Sequence, residues 1–262
     1  MRFERLAAEA DFDGFRRSAR ALLAQGVAPE AVQWAVDDGL APQLWDHTEP
    51  AAPATTAGPA VAVAVPAAFI NLCRAVVLHS APQRFHLLYR LLWRLQREPA
   101  LRHDGLDADM ARARLMAQAV RRDLHKMKAF VRFRDTGSVR VAWFEPEHHI
   151  VEAVAPFFMR RFATMPWAIL TPERSVRWDG EHLTWGPGGH KHQLPPADAG
   201  ETLWLTYYAN IFNPARLKLR AMEKEMPRKY WPNLPEAALI SALSADAGAR
   251  SAAMIARPAQ AV

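Results

Sequence analysis

The sequence predicts an α+β protein with a helical N-terminal half, then two β-hairpins separated by a helix, then a C-terminal helix. Three observations carry this prediction. Apolar residues recur at helical spacing through the first half. Two β-rich runs flank Asp135-Thr-Gly-Ser138 and two more flank Asp179-Gly180, and each set reads as a hairpin. The segments between and after the hairpins return to a helical pattern. Half of the 262 residues are apolar or aromatic, enough to offset the ordering entropy, so disorder throughout is excluded.

The elements follow in order. Phe12, Phe15, Ala19 and Leu22 define a first helix that Gly26 ends. Pro29 fits a first helical turn, and Val32 and Val36 give a second helix a short apolar face. From Pro50 to Cys73 no residue is charged, and the run to Pro66 is mostly Ala, Pro, Thr and Val. That composition reads as a linker or loop, with Val61–Val65 as a candidate strand. The expected organisation is an N-terminal helical segment over residues 1–49, the linker over 50–66, a main α+β domain over 67–242 and a flexible tail over 243–262.

In the main domain, Phe85, Leu88, Leu92 and Leu95 mark one stripe of a helix, with His86, Arg90, Arg94 and Arg97 on another face. Asp107 is placed to cap a longer helix whose apolar residues, Met110, Ala113, Ala117, Val120, Leu124 and Met127, repeat at core-facing spacing. Phe130–Arg134 and Val139–Phe144 form the first hairpin. A helix from about His148 to Phe162 follows, with Pro156 expected to kink or split it. The second hairpin joins Arg174–Trp178 to Glu181–Trp185 through a two-residue turn, setting Val176 opposite Leu183. Gly186–Gly200 is a loop. Asn213 and Pro214 open a last helix that ends near Met226.

Several function classes lose support. A single cysteine, Cys73, excludes an intramolecular disulfide framework and any multi-cysteine metal site. The N-terminus lacks the apolar run of a signal peptide, and the 11 residues Ala60–Ile70 fall short of the ~20 that span a bilayer. A cytoplasmic protein with no membrane partner is expected. The Gly-rich P-loop, the Rossmann glycine fingerprint and the serine-hydrolase elbow are all missing, and no cofactor is expected.

The charge is concentrated. Formal net charge is +6, yet residues 112–134 hold eight Lys or Arg and one acid, Asp123, so the rest of the chain is close to neutral. Arg114, Arg121, His125 and Lys128 share one flank of the long helix, and Arg122 and Lys126 lie on the other side of Asp123. The first hairpin adds Arg132 and Arg134 on one face, with Trp143 on the same face. Cations that neutralise phosphate beside an aromatic that stacks on a base are what a polyanion site needs. The alternative is a solvated or ion-paired helix face.

Glu145-Pro-Glu-His-His149 is the densest set of catalytic residue types, and Glu145, Glu147, His148 and His149 are its candidate acids, bases or ligands. The same residues also suit a helix N-terminus, and the His-Glu-x-x-His zinc pattern is absent, so no metal is assigned. Tyr207 and Tyr208 precede Arg216 and Lys218 and could contact bases; they could equally be core.

Three runs together resemble a bacterial family of uncharacterised proteins assigned to DNA metabolism. They are Leu88-Tyr-Arg-Leu-Leu-Trp-Arg94, the basic run Val120–Arg134, and Trp143-Phe-Glu-Pro-Glu-His-His-Ile150. Later runs fit as well, among them Trp167–Pro172, Ile211–Arg216 and Met226–Pro235, so the resemblance extends over roughly Asp11–Ala242. It implies a domain found alone, paired with a radical SAM protein of DNA repair or modification, or fused ahead of a uracil-DNA glycosylase-like domain of the UdgX type. The glycosylase's own Gly-Glu-rich and His-containing motifs are missing, so uracil excision is not carried over. The family has no established catalytic residue to transfer.

Three readings stand at this point. The first is a DNA-binding accessory module whose partner supplies the chemistry. The second is a nucleic-acid-processing enzyme using the Glu145–His149 cluster. The third is a protein-interaction adaptor without DNA contact.

Overall fold

A computed structural model describes residues 1–37, 65–196, 198–211, 219–240 and 242–243. The candidate strand at 61–64, most of the linker, the Asn213-Pro214 helix start and nearly all of the tail lie outside the described residues. The protein is α+β, and the chain divides into two compact units. One comprises Met1–His125 with Glu147–Glu152; the other comprises Lys126–Pro146 with Ala153–Val262.

In the first unit, strand β1 (Arg2–Leu6) leads to helix α1 (Phe12–Ala24). Asp11 caps α1 by accepting the Gly14 N–H at 2.7 Å, and Gly26 leaves the helix with φ +66°, a left-handed conformation that favours glycine. The second helix expected from Pro29 is instead a single 3-10 turn (Pro29–Ala31) feeding strand β2 (Val32–Val36), which pairs parallel with β1. Two valines four apart suit a strand's period of two as well as a helix, and here Val32, Trp34 and Val36 face inward while Gln33 and Ala35 face out.

Helices α2 (Ala67–Val77), α3 (Arg84–Leu95) and α4 (Ala108–Phe130, to His125 in this unit) complete it. Their apolar residues Val76, Phe85, Leu88, Ala113, Ala117 and Val120 are buried, and Leu124 is half-buried. Asp107 caps α4 as predicted, accepting the Met110 N–H at 2.9 Å. The basic face of α3 is committed to that cap: Arg94 donates to Asp107 at 2.7 Å and Arg90 to Asp109 at 2.9 Å. The Arg94 hydrogen bond and those of nearby backbone amides hold the Asp107 carboxyl below the usual carboxylate range.

In the second unit, the expected hairpins belong to one five-stranded sheet in the order β3-β4-β5-β6-β7. The strands are β3 (Arg134–Asp135), β4 (Arg140–Trp143), β5 (Trp167–Leu170), β6 (Arg174–Trp178) and β7 (Leu183–Pro187). The first hairpin is shorter than expected, because Phe130 still belongs to α4. Strand β5, not foreseen, pairs parallel with β4 and antiparallel with β6. A four-residue apolar run without polar alternation carries no period to read.

Helix α5 (Val151–Arg161) starts three residues later than expected and continues through Pro156. The second hairpin turns through four residues, because the Asp179 carboxylate accepts the N–H groups of Glu181 and His182 at 2.8 and 2.7 Å. Register therefore slips by two from the two-residue turn: Trp178 faces Leu183, and Val176 faces Trp185. Helices α6 (Ala199–Ile211) and α7 (Leu219–Glu225) follow. Trp167, Ile169, Val176 and Phe158 are buried in this unit, with Phe133 edge-on to Phe158 at 6.1 Å.

Past β7 the chain lies against the Thr171–Pro172 turn. The Gly189 N–H donates to the Thr171 carbonyl at 2.9 Å, and a Cβ placed on Gly188 would fall on the Pro172 carbonyl. Gly105 has open space around the same position. Gly188→Ala is expected to lower stability by ~1–3 kcal/mol through that clash, whereas Gly105→Ala stays within ~0.5 kcal/mol of the parent. Urea unfolding of both variants checks this, and equal midpoints would show that the loop does not rest on Pro172.

Candidate functional site

Three groupings of chemically active side chains emerge, two in the first unit and one in the second. The first is the exposed flank of α4. Arg114, Arg121, Arg122 and His125 are all exposed, as Arg112 is. Among the described residues no acid pairs with Arg114, Arg121 or Arg122 in a salt bridge. Arg114 donates instead to the carbonyls of Arg102 and Asp104, both at 3.1 Å, which end the 3-10 turn Pro99–His103. These contacts fix the guanidinium without neutralising it. Arg102, His103, Arg114 and Arg121 line a cleft of about 320 Å³ whose other walls, Phe69 and Met110 among them, are apolar and contain no acid.

The second grouping surrounds the histidines of the predicted cluster. Asp123, 2% exposed, turns away from solvent and accepts the backbone N–H groups of Glu147 and His148 at 2.8 and 3.0 Å. His148 is buried, and its Nδ1 accepts the Ser80 N–H at 3.3 Å and lies 3.1 Å from Ser80 Oγ. With Nδ1 accepting, the imidazole proton sits on Nε2. The His79 ring lies over that of His148 at 4.3 Å, and its own Nδ1 accepts the Ala81 N–H at 3.0 Å. His149 Nε2 is 3.7 Å from a Glu9 carboxylate oxygen. Glu147 is exposed, and Glu145 belongs to the second unit, where its carboxylate accepts the Trp143 indole N–H at 2.7 Å.

Sequence reasoning missed His79, Ser80 and Glu9. No motif marks them, and Ser80 stands 68 residues from His148. A serine hydroxyl on an imidazole nitrogen is the pattern of a nucleophile with its base. The amides of Ser80, Ala81, Glu147 and His148, however, are already turned onto imidazole nitrogens or the Asp123 carboxylate, so none of the four is directed at a developing oxyanion. Among the described residues no group of three or more His, Cys, Asp or Glu is arranged to hold a metal ion.

The third grouping is in the second unit, where the remaining cations of the basic run already have neighbours. Lys126 lies 3.6 Å from Glu225, and the Lys128 ammonium sits 5.3 Å over the Phe157 ring. Arg132 donates to buried Glu236 at 2.7 Å, and Trp204 donates to the same carboxylate at 3.0 Å. Arg134 donates to Glu201 at 2.9 Å and to the Pro195 carbonyl at 2.7 Å. Arg132, Arg134 and Trp143 do converge as expected, on a cleft of about 520 Å³ that Lys191, Trp231 and Asn233 also line. Trp143 is only 7% exposed. Tyr207 is exposed on α6 and Tyr208 half-buried, both close to Trp204, and neither lines that cleft.

Residues 82–236, more than half of the chain, match the model of a family described as a domain of unknown function, DUF4130. Comparison with curated proteins gives no match, nor does comparison with solved structures. No helix among the described residues is long and apolar enough to cross a membrane.

The histidine grouping sets a pH dependence. Burial, then electrostatic interaction with Arg84, His149 and Arg112, lowers the His79 pKa from its usual 6.5. Between the lowered folded value and 6.5 the unfolded chain binds a proton that the folded chain resists. This contribution to stability is complete above 6.5 and is lost as pH falls through the folded value. The urea midpoint is therefore expected to drop between about pH 7.5 and pH 5, and His79→Gln is expected to reduce that drop. An unchanged drop in the variant would assign the acid sensitivity to other groups.

Proposed function

We propose that this chain, which belongs to the DUF4130 family, is a DNA-binding accessory module of bacterial DNA repair or modification. A partner protein supplies the chemistry: a radical SAM protein or a uracil-DNA glycosylase-like protein, in the settings that the sequence resemblance implies. One observation carries the reading. Arg102, Arg114 and Arg121 line one cleft without an acid among its walls, and Arg122 is exposed on the same helix. Cations left uncompensated on a surface are available to displace counterions from a phosphate backbone. The arginines of the first hairpin have a different role in this reading, since Arg132 and Arg134 tie Glu236 and Glu201 into the second unit.

A second reading, an enzyme acting on nucleic acid, draws on the 3.1 Å approach of Ser80 Oγ to His148 Nδ1. Ser80→Ala tests it: substrate turnover by the parent that disappears in this variant, with folding intact, would favour it over the accessory module.

Anisotropy of a labelled duplex across a salt series tests the first reading. Log affinity is expected to fall linearly with log salt, by roughly 0.9 per phosphate neutralised. Arg114→Ala with Arg121→Ala is expected to weaken binding and reduce the slope by about 1.8, with little change in melting temperature. Arg132→Ala is expected to behave in the opposite way. It leaves the Glu236 carboxylate buried without its guanidinium and lowers stability by roughly 2–4 kcal/mol, the partial exposure of Arg132 trimming the loss. Affinity that does not change with salt would remove the DNA-binding reading.

A further inference from the structure

We infer that the 520 Å³ cleft of the second unit takes a single nucleotide, its base against the indole-lined wall and its phosphate at Lys191 and Arg134. The inference rests on the DNA-binding reading and extends it from the phosphate backbone to one unstacked base.

The volume lies within the range of small-molecule sites. Two indoles contribute to the walls, and each is anchored through its ring nitrogen. Trp143 Nε1 donates to Glu145 at 2.7 Å, and Trp231 Nε1 donates to the Met226 carbonyl at 2.9 Å. Trp143 is buried and Trp231 half-buried, so Trp231 is the ring a base stacks on; held by its edge it is ordered before a ligand arrives, and stacking does not bear the entropy of fixing it.

The lining carries Arg132, Arg134 and Lys191 against one acid, Glu201, a balance that favours an anion. Lys191 gives one donor to the Pro232 carbonyl at 2.9 Å, and an ammonium carries three. Arg134 engages Glu201 and Pro195 through Nε and Nη1, while its Nη2 has no partner among the described residues. A neutral sugar would leave the Lys191 charge and the remaining Arg134 donor unmet, and inorganic phosphate would leave Trp231 uncovered. A nucleotide answers both.

Calorimetric titration of the full chain with dAMP, dCMP, dGMP and dTMP tests the site. At least one monophosphate is expected to saturate, with its nucleoside and inorganic phosphate each at least about tenfold weaker. Lys191→Ala, an exposed side chain, is expected to weaken the monophosphate by about fivefold or more at unchanged melting temperature. Trp231→Leu is expected to weaken it by roughly 5- to 150-fold. If Trp231→Leu does not fold, Lys191→Ala still decides. No saturation by any of the four at about 10 mM overturns the site, and so does parental affinity in Lys191→Ala.

A short oligothymidylate separates the two sources of such a nucleotide. Competition by the strand below the monophosphate's own concentration identifies a base presented by single-stranded DNA. Binding of the monophosphate alone identifies a free nucleotide. Either result upholds the site. Salt-dependent duplex binding with no monophosphate binding overturns the cleft and leaves the accessory-module reading in place. Monophosphate binding without duplex binding upholds the cleft and removes that reading.

Discussion

A guanidinium buried to 2% exposure organises the first unit. A buried guanidinium, here that of Arg84, must have its donors met inside the protein. Its Nε donates to the Val77 carbonyl at 2.8 Å, its Nη1 to Ala81 at 3.1 Å, and its Nη2 to the Glu9 carbonyl at 2.9 Å and to the Glu9 carboxylate. One side chain thereby ties the end of α2, the turn before α3 and the loop before α1. His79 and Ser80 lie on that turn, and Glu9 is the acid beside His149. The histidine grouping therefore depends on a cation that touches no imidazole. Any change that shifts Arg84 would move His79, Ser80 and Glu9 together.

The helical part of the fold was legible because its code is local. The Asp107 cap, the stop at Gly26 and the stripe from Met110 to Val120 each express a periodicity or a turn preference within a few residues. What was missed depends on distance or on ambiguity. Val32 and Val36 satisfy two periods at once, and only the pairing with β1 selects the strand. Trp167–Leu170 has no polar alternation because its second face, Ala168 and Leu170, is half-buried as well. The register of the second hairpin turned on a side chain, since Asp179 lengthens the turn by capturing two amides.

The basic run shows the same limit for the site. Its composition was plain, but its commitments were not. Arg134 meets an acid 67 residues away and Arg132 one 104 residues away, so no local pattern distinguishes these two from Arg121 and Arg122. What looked like one polyanion surface divides into an exposed stretch in the first unit and, in the second, cations that already meet acids, carbonyls or a ring. That Arg134 and Trp143 share a face was legible from strand alternation, whereas Arg132, expected there on the same ground, reaches the cleft from the segment before β3. Lys191, Trp231 and Asn233, which complete that cleft, come from 3-10 turns too short to carry a readable period.

The inward turn of Asp123 has a kinetic consequence. It is the lone acid of residues 112–134, and its carboxylate is occupied with two amides beneath the surface. The solvent-facing side of that stretch of α4 is left to Arg112, Arg114, Arg121 and Arg122, all exposed. Four like charges on one short length of helix project a field into the surrounding water that a paired surface would cancel. At physiological ionic strength it reaches about 8 Å before screening dominates. Within that distance an approaching anion is drawn in and oriented before any contact forms, so the encounter rate responds to salt independently of how tightly the final contacts hold.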